Sequence, residues 1–133
     1  MRHLDGRPEL ESFYRRYNQL CNDHHFNQLG NFVAENVEVN GRMQGLSDYV
    51  AGLKRVVDAF PDYRWNLRHL LVEDELISAH FLDTGTHRGT FLGIPATGRS
   101  VSIQEFAIYR MQGGRFAEVW VTAENYELLQ QLR

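Results

Sequence analysis

An α+β domain is predicted from three observations. Apolar residues recur at helical spacing in the first half of the chain, the period changes to two from Tyr63 onward, and no repeat, linker or low-complexity tract divides the 133 residues. Apolar residues make up 43% and charged residues 23% of the chain, a balance that supports one folded core and argues against disorder. A chain of this size buries roughly two-thirds of its unfolded surface, enough for a core without staples.

Residues 8–23 read as an amphipathic helix, because Leu10, Phe13, Tyr14, Tyr17, Leu20 and Cys21 recur at spacings of three and four. Pro8 suits a first turn. A short helical stretch around Asn27–Phe32 follows, then a brief strand at Val37–Asn40 and a turn at Asn40-Gly41. Ser47 is placed to cap a further helix with the stripe Tyr49, Val50, Leu53, Val56, Val57 and Phe60, ended by Phe60-Pro61-Asp62.

Tyr63, Trp65, Leu67, His69 and Leu71 then alternate with polar residues, and the acidic turn Glu73-Asp74-Glu75 leads into Leu76–His87, giving a hairpin. Arg88–Gly98, with Gly89, Gly93, Pro95 and Gly98, reads as a structured loop. Arg99–Met111, the turn Gln112-Gly113-Gly114 and Arg115–Ala123 form a second hairpin, and Asn125–Leu132 a closing helix. A curved antiparallel sheet with helices on one side leaves a cone between them. Val101, Ile103, Ala107 and Tyr109 alternate with Ser102, Gln104, Phe106 and Ile108, and Val119, Val121 and Ala123 with Glu118, Trp120, Thr122 and Glu124, so both faces carry apolar residues. Helices cover one face; a second copy of the chain is the simplest cover for the other, which predicts a homodimer or higher homo-oligomer.

Fourteen Lys and Arg against 17 Asp and Glu give a net charge of −3, with the basic residues scattered singly or in pairs, so neither nucleic acid nor an anionic membrane is an expected partner. No apolar stretch approaches the roughly 18 residues of a membrane span, and Met1-Arg2-His3-Leu4-Asp5-Gly6 has no apolar signal-peptide core; a soluble, cytoplasmic protein is expected. Cys21 is the only cysteine, which excludes an intrachain disulfide and a Cys-based zinc cage within one chain. The six histidines offer no His-x-x-x-His or His-x-Asp pair, and no metal site is expected.

The stretch Gly85-Thr86-His87-Arg88-Gly89-Thr90-Phe91-Leu92-Gly93-Ile94-Pro95-Ala96-Thr97-Gly98-Arg99 closely resembles the hairpin loop of the SnoaL-like polyketide cyclases of the NTF2-like superfamily. Three further features resemble that family in order: Phe60-Pro61-Asp62; Tyr109-Arg110 followed by a Gly-Gly turn; and Trp120 to Glu124 followed by Leu128-Leu129-Gln130-Gln131-Leu132, similar to the family's Trp-x-x-x-Asp strand end and terminal helix. The resemblance covers roughly residues 10–132 and implies the NTF2-like cone, a bent sheet wrapped around N-terminal helices with an apolar pocket inside. It also implies a small hydrophobic carbonyl substrate, no metal or organic cofactor, and an acidic residue as general acid/base for an intramolecular aldol cyclisation or related isomerisation.

At the position of the family's Asp this chain has Glu124, about 1.5 Å longer in reach. Strand alternation puts Trp120, Thr122 and Glu124 on one face, so Glu124 is expected to act as acid or base beside an indole ring. Gln104, one strand over, is the candidate donor to a developing enolate oxygen. Tyr14, Tyr17, Asn40, Trp65, His80 and Phe106 are the further candidate ligand contacts, with Trp120 and Thr122, while Phe13 and Phe81 support an apolar pocket. His87 is expected to hold the long loop by a hydrogen bond. Two functions follow: a proton-transfer enzyme, or a non-catalytic ligand-binding module with the same pocket. What separates them is whether Glu124 points into an apolar cavity beside Trp120; should Glu124→Gln keep full activity on an identified substrate, the binding module or a different acid such as Glu105 or Asp83 takes its place.

Overall fold

Helix α1, Arg2–Asn22, carries the aromatic stripe that the spacing indicates and lays it along the inside of a sheet. The computed structural model describes residues 2–133, residues 2–5 by their backbone alone; Met1, part of the segment read for a signal peptide, lies outside the described residues. Pro8 sits inside α1 rather than in its first turn. The mostly polar residues ahead of it carry no period from which a helix can be read. No described helix is long and apolar enough to cross a membrane.

After α1 come a 3₁₀ turn, Phe26–Asn31, then β1, Val33–Val39, and β2, Arg42–Met43. Asn40 and Gly41 both take positive φ, 52° and 82°, and join Val39 to its partner Arg42 in the mirror-image turn that matches strand twist. Helix α2 spans Leu46–Ala59, and its N-cap is Gly45 at φ 84°, so the expectation of a Ser47 cap is corrected: Ser47 lies within the first turn. Strands β3, Arg64–Glu73; β4, Leu76–Thr86; β5, Ser100–Gln112; and β6, Arg115–Ala123, then form the two hairpins, and α3, Asn125–Gln131, closes the chain.

The six strands make one curved, open sheet in the order β2-β1-β6-β5-β4-β3. One pairing departs from the antiparallel expectation: β1 runs parallel to β6, with Val39 opposite Val119, because the chain crosses the sheet between them through α2 and both hairpins. The strand also starts earlier than predicted, at Val33, since Ala34-Glu35-Asn36 breaks the alternation that would have marked it.

Helices α1 and α2 cover the concave face. Residues of odd number on β4 and β5, among them Ile77, Ala79, Phe81, Ile103, Ala107 and Tyr109, are buried against them, as are Phe116 and Val119 of β6. Aromatic rings fill the narrow end: Tyr14 lies 4.9 Å from Tyr109, and Phe116 4.7 Å from Tyr109 and 5.0 Å from Tyr17, ring centre to ring centre. The closing helix is docked by its side chains. Gln131 accepts the Ser102 N–H at 2.8 Å and donates to the Ser102 carbonyl at 2.9 Å, while Leu128 and Leu132 are buried.

The 88–99 loop is tied at both ends. His87 is buried, and its Nδ1 accepts both the Thr97 hydroxyl at 2.9 Å and the Thr97 N–H at 3.2 Å, which leaves its proton on Nε2. Arg88 and Gly89 donate their N–H groups to the Ala59 carbonyl at the end of α2.

Candidate active site

Between α1, α2 and the concave sheet lies a mostly apolar cavity of about 210 Å³. Helix α1 contributes Tyr14, Tyr17, Asn18 and Cys21; α2 contributes Tyr49, Gly52 and Leu53; the strands contribute Trp65, Phe81, Glu105, Tyr109, Val119 and Val121. Four tyrosine hydroxyls meet there in two pairs. Tyr14 donates to Tyr109 at 2.9 Å, and Tyr17 and Tyr49 share a bond of 2.5 Å. Burial raises all four phenols well above their ordinary range, so each keeps its proton and remains a donor at neutral pH. Burial likewise pushes the Cys21 thiol up to about 12, which keeps it a thiol.

Glu105 brings the one carboxyl group into the cavity wall. In the strand register it faces Phe81, and Asp83 is the diagonal neighbour on the same concave face of β4. The two carboxyl groups are close enough to perturb each other, and a hydrogen bond between them forms only when one of them holds a proton. Asp83 is fully buried; its Oδ2 accepts the Tyr63 hydroxyl at 2.9 Å, and its Oδ1 has no N–H or hydroxyl donor, which leaves it open to a protonated Glu105 carboxyl. Burial, followed by the bond to Asp83 and its charge, pushes Glu105 up to about 10 from an ordinary 4.5. Burial also raises Asp83, against the bonds from Glu105 and Tyr63 that hold it down. Glu105 is therefore the protonated member at neutral pH, and Asp83 the carboxylate that receives its hydrogen bond.

The residues expected from the sequence divide by sheet face. Tyr14, Tyr17 and Trp65 line the cavity as expected, with Phe81. Trp120, Thr122, Gln104, Phe106 and His80 share one face, as the alternation requires, but it is the outer one, and the expectation that they line the pocket is corrected. Phe106 is 52% and Trp120 38% exposed. On that face His80 donates from Nε2 to Gln104 Oε1 at 2.5 Å, accepts at Nδ1 from His69 at 2.9 Å, and stacks on Phe106 at 4.6 Å.

The placement expected for Glu124 is corrected too. Its Oε1 accepts the Gln104 backbone N–H at 2.8 Å, and its own N–H bonds the Gln104 carbonyl at 3.1 Å, so the exposed side chain finishes the β5–β6 ladder. Asn40 clamps strands in the same way, bonding the Val121 carbonyl and N–H at 3.2 and 2.9 Å. A two-residue period fixes which residues share a face and leaves open which face the helices cover. The overlooked signal is an ionisable residue at inward parity: Glu105 between Ile103 and Ala107, and Asp83 after Ile77, Ala79 and Phe81.

The family model described as SnoaL-like polyketide cyclase matches residues 11–132. A solved structure of a SnoaL-like polyketide cyclase from Agrobacterium tumefaciens is 30% identical, with a TM-score of 0.82, over 93% of this chain and 98% of that one. TsrD from Streptomyces laurentii is 23% identical with a TM-score of 0.86, over 95% of this chain and 96% of that one, a likeness of fold. Among curated proteins no match is found.

Proposed function

The chain belongs to the SnoaL-like polyketide cyclase family, and from that premise we propose that it catalyses proton transfer at carbon beside a carbonyl, leading to aldol ring closure or isomerisation, with the Asp83–Glu105 pair as acid and base. The observation that carries this reading is the Glu105 carboxyl in the wall of an apolar cavity, with the buried Asp83 beside it. Buried acids held above their ordinary range are matched to proton transfer near neutral pH. A pocket that only bound ligand would gain nothing from a buried carboxylate, which costs stability that an apolar pair would not.

Glu105 touches the substrate in this scheme. Its cavity-facing oxygen takes the proton from the carbon next to the carbonyl while its own proton passes to the neighbouring Asp83 carboxylate. The enolate oxygen receives a hydrogen bond from a phenol. Tyr109 is suited to this, since it accepts from Tyr14 and its own O–H has no acceptor among the described residues. The enolate carbon then adds to a second carbonyl of the same molecule, and the alkoxide oxygen formed takes back the proton from the pair. One proton leaves carbon and one arrives at oxygen, so the scheme closes without a co-reactant. Tyr63 acts through Asp83 as a positioning residue.

The test is deuterium incorporation from heavy water into the carbon positions flanking the carbonyl of 2-tetralone, followed by NMR. The wild-type protein is expected to accelerate it over buffer, Glu105→Gln to lose roughly 10²–10⁴-fold, and Glu124→Gln to stay near wild type, its amide oxygen still accepting the Gln104 N–H. Full exchange in Glu105→Gln, or none beyond buffer in the wild type, overturns the reading.

A further inference from the structure

We infer that the groove between α1 and β3 is an anion subsite adjoining the cavity, so that the ligand is an apolar carbonyl compound ending in a carboxylate or phosphate. The carbonyl-bearing body rests on the function proposed above; the anion subsite stands on the groove itself. Arg15, Asn18 and Gln19 of α1 and Arg64 and Trp65 of β3 line it, and Asn18 and Trp65 are walls of the cavity as well. A ligand seated against Trp65 in the cavity therefore lies next to the groove, with only Asn18 and Trp65 shared between the two.

The groove is cationic in a chain of net charge −3. Arg15 and Arg64 are exposed and make no ion pair among the described residues, and no carboxylate lines the groove. Asp23, in the turn just after that helix, is held by Gln19 at 2.9 Å. The amides of Asn22 and Asn66 are used in holding the walls, bonding the Trp65 backbone and the Leu82 carbonyl. Two donors remain unused where groove and cavity meet. The half-buried Asn18 amide and the Trp65 indole N–H have no partner among the described residues. Two guanidinium groups with two neutral donors beside an apolar cavity suit one small anion on an apolar body. The other flank of the cavity, reached past Val39 and Gln44, also has two arginines, Arg42 and Arg55, but includes Asp48, whose carboxylate repels an anion. The α1–β3 groove is the better match for that reason.

Binding of three probes of one shape to the whole chain tests this by calorimetry: 2-naphthylacetate, 2-naphthyl phosphate and the uncharged 2-naphthylacetamide. Both anions are expected to bind at least about tenfold more tightly than the amide, the better of the two marking the natural group as carboxylate or phosphate ester. The double variant Arg15→Gln/Arg64→Gln is expected to erase that preference and leave the amide's affinity unchanged, while Arg42→Gln/Arg55→Gln keeps it. Equal affinity for all three probes in the wild type, binding by none, an equal loss for the amide, or transfer of the loss to Arg42→Gln/Arg55→Gln overturns the inference. Glu105→Gln is expected to keep the anion preference. If that preference holds while the deuterium exchange proposed above fails, the subsite stands and the reaction alone falls.

Discussion

The Tyr63 hydroxyl donates to Asp83 Oδ2 at 2.9 Å, both groups buried, and so fixes which oxygen of Asp83 is left for Glu105. This bond favours the ionised form of Asp83 and thereby the protonated form of Glu105. Tyr63→Phe is expected to cost about 1–3 kcal/mol of stability, the usual consequence of stripping a donor from a buried acceptor. Exchange activity should fall by about tenfold, with the acid limb of its pH–rate profile moved to higher pH. An unmoved pH profile would show that Tyr63 serves the fold alone.

Stability should fall as pH rises. Glu105 is held up to about 10 in the folded protein against an ordinary 4.5, so between those values the unfolded chain releases a proton that the folded chain retains. With fewer protons on the unfolded state, the stabilisation is complete below the ordinary value and is lost as pH rises toward the folded one. Glu105→Gln cannot ionise and still bonds Asp83 through its amide. Denaturant titrations are expected to find the variant similar to wild type near pH 4.5 and more stable at pH 9 by roughly 1–3 kcal/mol. A constant difference between the two at both pH values would contradict the buried pair.

Gly89 is where the long loop meets α2. A Cβ there would stand 2.6 Å from the Asp58 carbonyl oxygen and 3.3 Å from the Ala59 Cα, all backbone atoms that cannot swing aside. Gly89→Ala is expected to destabilise by about 1–3 kcal/mol, as overpacking does. Gly93→Ala also destabilises, through its φ of 81° rather than by contact. Thermal melts of the two variants, with hydrogen exchange over 86–99, should find the tie to Ala59 loosened in the first only.

On the outer sheet face Phe106, Ile108, Trp120 and Leu71 are exposed by 52%, 42%, 38% and 69%. A homodimer is expected to cover them, burying about 800 Å² per copy. Phe106→Lys with Trp120→Lys should convert it to a monomer in sedimentation. A wild-type monomer at micromolar concentration would leave this face without its expected cover.

Hydrophobic period determined much of this protein from the sequence by itself. Leu10 to Cys21 marked α1, the alternation after Tyr63 marked both hairpins, Asn40-Gly41 marked the β1–β2 turn and Gly113-Gly114 the β5–β6 turn, because each signal is local and is set by backbone geometry. The same period correctly grouped Gln104, Phe106, Trp120 and Thr122 on one face. Only the tertiary structure decided which face α1 and α2 would cover, and with that which acid meets the cavity: Glu105, whose odd place among Val101, Ile103, Ala107 and Tyr109 is visible in the sequence, rather than Glu124. Partnership with Asp83 was settled the same way, since a diagonal contact between strands depends on the β4–β5 register that a loop of a dozen or so residues brings together. Period is a property of neighbouring residues along the chain; the side of the sheet on which water is excluded is a property of the whole fold.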